Sequence, residues 1–226
     1  MAESPSEAAF IREVPLLARL PDADLQALAS RGRVRRFPAG SIVFHEGDPG
    51  DALYVVVEGR VRMSVLSGSG GEATLALMGP GECFGDLALL DGRPRSATAT
   101  AVQTTKAFMV ARDDFIPWVK ERPAAALALL ETLALRLRRT DETVTDLVFL
   151  DLPQRLAKHL LRLGAEHSDN AQRPRVQVTQ GELANMLGVS RESVNKQLNL
   201  FAREGWITLT RGAVTINDAG GLRAFA

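Results

Sequence analysis

The stretch that most constrains the fold is the longest one without a helix breaker. Neither glycine nor proline occurs between Pro123 and Pro153, and proline is tolerated at the first position of a helix. Within this stretch, positions recur in alternating steps of four and three: Ala126, Leu130, Leu133, Leu137, Thr140, Val144 and Leu147. Such spacing is typical of a coiled-coil seam. We therefore predict a long helix at 123–150 that forms a parallel homodimer, although one-sided packing within the monomer is the alternative.

The preceding part of the chain has a different texture. Between residues 33 and 112, short β-rich runs at 41–44, 52–57, 61–66, 73–78 and 107–110 alternate with Gly- and Pro-containing turns. Several short strands at this spacing indicate an antiparallel sandwich or roll. Residues 7–31 have helical spacing that Pro15 and Pro21 interrupt.

The C-terminal part predicts two short helices and a hairpin. Thr179 and Glu182 have the spacing of a capping box before a helix at 183–187, and Ser190 can cap a second helix at 191–204 after the turn at 188–190. A β-hairpin over 206–216 follows. This order predicts a winged helix-turn-helix, and hence an α+β chain with an N-terminal β-roll at 1–122, a dimerisation helix at 123–150 and a DNA-binding domain at 151–226.

The second helix of such a module carries side chains suited to reading base pairs. Arg191 can donate two hydrogen bonds to a guanine, Glu192 can accept one from a cytosine, and Lys196 lies about one turn further on. Gln180, Ser190 and Ser193 suit phosphate contacts. An ordinary solvated helix face is the alternative. The apolar spacing expected of two crossed helices favours DNA binding, at Ala184, Leu187, Val189, Val194, Leu198 and Phe201.

The distribution of charge is consistent with this division. The chain holds 27 Lys and Arg against 27 Asp and Glu, but residues 151–226 hold 10 against 7 and the remainder 17 against 20. The C-terminal part is therefore +3 and the rest −3, as expected where a DNA-binding module is joined to another domain.

Other function classes lack support in the sequence. We find no signal peptide, no membrane-length apolar run and a single cysteine, Cys83, so we expect a cytoplasmic protein without membrane contact. Because no nucleophile elbow, phosphate loop or metal-ligand spacing occurs, we expect neither an enzyme nor a metal site.

With these motifs in view, the chain resembles the CRP/FNR superfamily of bacterial transcription regulators from about Pro15 to Ile216. The resemblance rests on Phe84-Gly85-Asp86-Leu87, Arg95-Ser96-Ala97, Phe149-Leu150-Asp151 and Val189-Ser190-Arg191-Glu192-Ser193-Val194. It implies a homodimer that binds near-palindromic double-stranded DNA and contacts RNA polymerase.

The resemblance also implies a cyclic-mononucleotide pocket. Its residues would be Gly85, Asp86, Leu87, Arg95, Ser96, Ala97, Arg136, Thr140 and Asp141. Arg95 can pair with the cyclic phosphate through two donors, and Ser96 can add a hydroxyl. Gly85 admits a close backbone approach, and the N–H groups of a short helix from Asp86 can point at the anion. In the family a carboxylate, usually Glu, accepts from the ribose 2′-hydroxyl; Asp86 occupies that position and Arg136 would brace it.

Two residues on the predicted seam bear on which base is bound. In cyclic-AMP receptors a threonine corresponding to Thr140 contacts adenine, and the next residue, typically Ser or Asn, reaches in from the other subunit. Here that residue is Asp141, whose carboxylate suits the two adjacent donors of guanine and repels an adenine ring acceptor. Asp141 therefore favours cyclic GMP as the effector, either instead of or alongside cyclic AMP. The alternative is an exposed Asp141 that pairs with Arg138 or Arg139.

The same fold is also compatible with regulators that bind no nucleotide or that bind another cofactor. Arg95 and Asp86 could form an ion pair in a roll that senses nothing, so that the regulator acts without a nucleotide. A gas or redox sensor would need another cofactor. Cys83 alone cannot hold an iron–sulfur cluster, whereas haem bound through His45, His159 or His167 stays an alternative.

Overall fold

The computed structural model of the protein describes residues 14, 21–66, 68, 71–167 and 173–226, except for the side chains of 166 and 167. The described chain forms two compact units. The first comprises the described part of Met1–Ser67 together with Leu75–Leu137, and the second comprises the described part of Gly68–Thr74 together with Arg138–Ala226.

Residues 32–111 form two four-stranded antiparallel sheets, whose strand residues belong to the first unit except for 72–74. Their strands are β1 (Gly32–Phe37), β2 (Ile42–Phe44), β3 (Ala52–Glu58), β4 (Val61–Leu66), β5 (Glu72–Met78), β6 (Cys83–Phe84), β7 (Thr98–Ala101) and β8 (Thr105–Ala111). One sheet has the order β1-β8-β3-β6 and the other β2-β7-β4-β5. This arrangement confirms the predicted roll, and each predicted β run coincides with a strand to within a few residues.

Two apolar clusters cover the opposite faces of β3. Tyr54 and Val56 pack between the sheets with Phe44 and Phe84. Leu53 and Val55, on the other face of β3, lie in a second cluster. This cluster also contains residues of three helices: α1 (Asp22–Ala29), α3 (Arg112–Lys120) and the start of α4 (Pro123–Phe149). Because both faces are buried, β3 is almost continuously apolar rather than alternating. The short helix α2 (Asp86–Asp91) follows β6.

Helix α4 has nearly the bounds that the sequence predicts. Its first turns pack on the roll through Ala125 and Leu129. The predicted seam stays exposed in the chain at Leu130 (62%), Leu137 (61%), Val144 (54%) and Leu147 (58%), while Leu133 packs partly against the roll. One-sided packing within the monomer therefore accounts for the N-terminal part of the helix only.

The second unit confirms the predicted winged helix-turn-helix. Helix α5 (Leu152–His167) precedes β9 (Arg175–Gln177), α6 (Gln180–Leu187), α7 (Arg191–Arg203), β10 (Ile207–Thr210), β11 (Ala213–Ile216) and α8 (Ala219–Phe225). The three strands form one antiparallel sheet of order β10-β11-β9. The sequence did not indicate α8, in which Leu222 is fully buried and Asp218 caps the first turn.

Candidate functional site

Gly85 joins β6 to α2 in a conformation that favours glycine. Its φ of +78° lies in the left-handed region, and a Cβ at this position would lie 2.6 Å from Arg95 Nη1 and 3.2 Å from the Ala52 carbonyl oxygen. Gly85 therefore permits both the sharp turn and the approach of the Arg95 guanidinium.

Arg95 is a buried cation on the segment that leads to β7. Its side chain is only 2% exposed. Nη1 donates to the Gly85 carbonyl at 2.8 Å, and Nη2 donates to the Ala52 carbonyl at 2.8 Å and to Asp51 Oδ1 at 3.2 Å. The buried Nε–H finds no hydrogen-bond partner among the residues that the structure describes. Because an unsatisfied buried donor is costly, this N–H is well placed to bond an anion that enters the roll.

Aromatic rings hold the guanidinium in place. Arg95 Cζ lies 4.2 Å from the centroid of the Phe44 ring and 6.0 Å from that of Tyr54, and Tyr54 stacks on Phe84 at 5.1 Å. A cation over the face of a ring is attracted by its negative π surface. The rings therefore stabilise a buried positive charge whose ion-pair partner, Asp51, is 81% exposed.

Asp86, a buried carboxylate, forms an ion pair with Arg136, whose side chain is 30% exposed. Arg136 Nη1 donates to Asp86 Oδ2 at 2.6 Å, and Nη2 contacts both the carbonyl oxygen and the sulfur of Cys83. The Asp86 side chain is 5% exposed. A side chain of helix α4, Arg136, thus holds one carboxylate oxygen of Asp86 at the start of α2. This is the contact that the resemblance implies for Arg136.

The structure brings together four of the nine residues predicted for the pocket: Gly85, Asp86, Arg95 and Arg136. Of the others in the same unit, Leu87 and Ser96 are exposed and Ala97 is buried. Thr140 and Asp141 are exposed on α4 and belong to the second compact unit.

Local capping builds the helix-turn-helix. Thr179 and Glu182 form the predicted capping box of α6, Gly188 ends that helix with a positive φ of +66°, and the Ser190 hydroxyl caps α7 by accepting from the Ser193 N–H. These caps orient α7 so that Val194, Leu198 and Phe201 are buried.

The opposite face of α7 is exposed and polar. It carries Arg191, Glu192, Asn195, Lys196 and Asn199, while Ser193 is half-buried. The side chain of Gln180, predicted to contact phosphate, donates from Nε2 to Asn195 Oδ1 at 2.9 Å, and Asn199 Nδ2 donates to the same oxygen at 3.1 Å.

Sequence reasoning assigned no role to three residues that contact the predicted site residues: Asp51, Phe44 and Asn195. Asp51 and Phe44 lie more than 40 positions before Arg95, and only the pairing of the strands brings them to it. No local signal marks them. Asn195 lies within the predicted recognition helix, where an amide at an exposed position is a signal that could have been used.

The described residues offer no cluster of side chains suited to a metal ion. No three His, Cys, Asp or Glu side chains within the described ranges are grouped so that they could hold a metal ion. His45 is exposed, His159 Nε2 lies 3.1 Å from Met186 Sδ, and the side chain of His167 lies outside the described residues.

None of the helices in the described part of the chain has the length and apolar character to cross a membrane.

Both units match known families. Residues 34–122 match the cyclic nucleotide-binding domain, and residues 154–225 match the Crp-like helix-turn-helix domain. The CRP-like cAMP-activated global transcriptional regulator of Mycobacterium tuberculosis is 41% identical over 186 residues, which cover 81% of this chain and 83% of that protein. The chain belongs to the CRP/FNR family.

This CRP/FNR family member is also similar to other proteins over most of its length. The cyclic AMP receptor protein of Thermus thermophilus is 37% identical over 94% of this chain and 96% of its own length. The solved structure of CLP from Xanthomonas campestris, a c-di-GMP responsive global regulator, has a TM-score of 0.78 over 88% of this chain and all of its own; at 23% identity it shows the fold alone.

The family assignment confirms the coarser functional predictions. The chain is a transcription regulator with a cyclic nucleotide-binding domain and a DNA-binding helix-turn-helix, and its relatives are regulators rather than enzymes. Regulators with this helix-turn-helix bind DNA and are generally dimeric.

Proposed function

We propose that this CRP/FNR regulator is a homodimer whose affinity for near-palindromic DNA is switched by a cyclic mononucleotide. One observation carries the proposal: a 2%-exposed guanidinium, that of Arg95, retains a buried Nε–H without a partner in the described chain. A cyclic phosphate supplies both the acceptor that this N–H needs and a negative charge beside a buried cation.

The neighbouring residues fit the rest of such a ligand. Arg136 braces Asp86 through Oδ2, and the carboxylate held in this way is suited to accept a hydrogen bond from a ribose 2′-hydroxyl. Ser96 is exposed next to Arg95 and can donate to the phosphate. Leu87 and Ala97 would contact the ligand as neighbours of these residues.

Isothermal titration calorimetry with cyclic AMP and cyclic GMP tests the pocket. Arg95→Lys keeps the charge but loses the fork of donors, so it should weaken binding of either nucleotide at least about tenfold, the effect of one strong charge-assisted hydrogen bond. Arg93→Lys is the matched control, because the Arg93 side chain is 84% exposed two positions earlier. Undiminished binding by Arg95→Lys would contradict the proposal.

The choice of base is proposed to depend on Asp141. In a dimer that pairs along α4, Thr140 and Asp141 would reach the base, and an ionised carboxylate favours the two adjacent donors of guanine. Asp141→Asn should then shift the preference toward cyclic AMP, whereas Glu142→Gln, an exposed neighbour, should leave it unchanged. An unchanged ratio of the two affinities in Asp141→Asn would refute this role.

The proposed switch acts through the long helix. The ligand would extend the ordered seam toward Val144 and Leu147 and rotate the DNA-binding domains about Asp151, so that the recognition helices lie about 34 Å apart, one turn of DNA. The ligand shifts this equilibrium only by binding the active arrangement more tightly.

The proposed contacts with DNA are of two kinds. Phosphates would be contacted by Gln180, Ser190 and Ser193, and base edges would be contacted by Arg191, Glu192 and Lys196. We propose the bacterial cytoplasm as the location and RNA polymerase as a further partner.

A regulator that needs no nucleotide is the second candidate. It is favoured by the fact that Arg95 already bonds two carbonyl oxygens and a carboxylate of its own chain. The calorimetric titration distinguishes the two, and a visible absorption band from the purified protein would instead support haem.

A further inference from the structure

The contacts of the Arg95 guanidinium differ in how easily an anion can replace them. The backbone of Arg95 is held by two hydrogen bonds. The Arg95 N–H donates to the Asp48 carbonyl, and the Arg95 carbonyl accepts from the Gly47 N–H. Phe44 covers one face of the guanidinium at 4.2 Å. Arg95 is therefore fixed, and any rearrangement on ligand binding falls to the groups around it.

The hydrogens of Arg95 show where a phosphate must compete. Nη2 carries two hydrogens and donates to two acceptors, the Ala52 carbonyl at 2.8 Å and Asp51 Oδ1 at 3.2 Å. Nε and Nη2 share one edge of the guanidinium, and two-point binding of a phosphate along this edge needs a hydrogen from each. The Nε–H is available among the described contacts, whereas at Nη2 a phosphate competes with the two acceptors already bonded there.

Asp51 is the contact that can be released. The Ala52 carbonyl belongs to strand β3, whose residue Ala52 pairs with Ala111 of β8, so it cannot turn away. The Asp51 side chain is 81% exposed and its bond is the longer one, while its own backbone carbonyl stays bonded to the Arg112 N–H. The carboxylate can therefore rotate into water without a change in the fold.

We propose that Asp51 is an internal competitor of the phosphate, occupying Arg95 without ligand and raising the nucleotide concentration at which the regulator responds. This inference rests on the proposed cyclic-nucleotide function. Two anions on one guanidinium repel each other, so the phosphate displaces the carboxylate rather than joining it. The opposite role, in which Asp51 orients Arg95 for the ligand, predicts the opposite sign of every effect below.

Calorimetric titration of the full chain with cyclic AMP and cyclic GMP tests this proposal in Asp51→Asn and Asp51→Ala. Both variants should bind each nucleotide about 2- to 5-fold more tightly than wild type, the range expected for loss of one partly exposed competing ion pair. The gain should be equal for the two nucleotides, because they share the phosphate. Glu58→Gln is the control: it removes an exposed, Lys106-paired carboxylate seven positions along the same part of the chain and should leave both affinities unchanged.

The outcomes separate this inference from the proposed function. If wild type binds either nucleotide and Arg95→Lys weakens that binding, but neither Asp51 variant binds more tightly, only the role of Asp51 is overturned. If wild type binds neither nucleotide, the proposed function fails and this inference fails with it. Weaker binding in both Asp51 variants, with an unchanged melting temperature, would show that Asp51 orients Arg95.

Discussion

At the scale of single residues, burial changes the chemistry of two titratable side chains. Burial lowers the pKa of His159 to about 4, with a further contribution from the Arg162 charge, and its ring lies between Met186 and Arg162. Burial raises the pKa of the Cys83 thiol to about 11, although the adjacent Arg136 opposes the shift. Neither side chain is therefore charged in the folded protein at neutral pH.

His159 predicts loss of stability in acid. The folded-state pKa of about 4 lies below the ordinary value of 6.5, so between these pH values the unfolded state binds the proton and the folded state does not. The free energy of unfolding of the DNA-binding unit should fall by about 1.4 kcal/mol for each pH unit in this window. Urea denaturation at pH 7 and pH 5 measures the change. His159→Gln should remove this part of the pH dependence, whereas His45→Gln, at an exposed position, should retain it; equal pH dependence in wild type and His159→Gln would contradict the assignment.

Cys83 is predicted to be an unreactive thiol. Alkylation proceeds through the thiolate, and both burial and the raised pKa suppress it. With iodoacetamide at pH 8, the native protein should react at least about a hundredfold more slowly than the urea-unfolded protein, as followed by mass spectrometry. Rapid labelling of the native protein would show that β6 opens readily.

At the scale of elements, the predictability of each segment follows from how local its signals are. Helices α6 and α7 could be predicted because Thr179, Gly188 and Ser190 begin and end them through contacts within a few residues. By contrast, β1 is an edge strand rich in exposed arginines and lacks the apolar alternation of a strand. Helix α8 contains Gly220 and Gly221, which normally argue against a helix, and is held by packing of Leu222.

The same distinction applies to the candidate site. Gly85, Asp86 and Arg95 lie within one short segment, and the resemblance identified them. The partners that hold Arg95 come from β2 and from the residue before β3, so no spacing in the sequence reveals them. Long-range register decides these contacts.

The recognition helix gives a prediction about specificity. Gln180 and Asn199 both donate to the Asn195 amide oxygen, so the Asn195 NH₂ group is the part left to meet DNA. It should donate to an acceptor such as guanine O6 or N7 rather than bond adenine in the bidentate manner of a free amide. Asn195→Ala should relax discrimination at one base position in each half-site, at a cost of about 1–3 kcal/mol, in fluorescence-anisotropy titrations against a panel of substituted duplexes. Asn195→Asp keeps the acceptor for Gln180 and Asn199 but removes the donors; wild-type specificity in that variant would disprove the assignment.

At the scale of the whole molecule, the unburied seam of α4 predicts the oligomeric state. Leu137 on the seam and Leu135 off it are equally exposed in the chain, at 61% and 63%. If a second copy covers the seam, Leu137→Glu should convert a dimer to a monomer in sedimentation velocity, whereas Leu135→Glu should remain dimeric, because only the first buries a charge at the interface. Identical behaviour of the two variants would place the dimer interface elsewhere.

The whole-molecule account requires that events at Arg95 change DNA binding. Helix α4 is continuous and joins the roll, with its buried arginine, to the DNA-binding unit. The boundary between the two compact units lies within this helix, between Leu137 and Arg138. A ligand in the roll can regulate the chain only if it favours one arrangement of these units over another.

The most direct test is the affinity of the full chain for a duplex selected by the protein from a random pool, measured by fluorescence anisotropy with cyclic AMP, cyclic GMP or a cyclic dinucleotide. The account predicts that a cyclic mononucleotide tightens or weakens DNA binding by at least about tenfold in wild type and has no effect in Arg95→Lys, whose affinity without nucleotide equals that of wild type. Equal DNA affinity with and without saturating cyclic mononucleotide, or an undiminished response in Arg95→Lys, would contradict it.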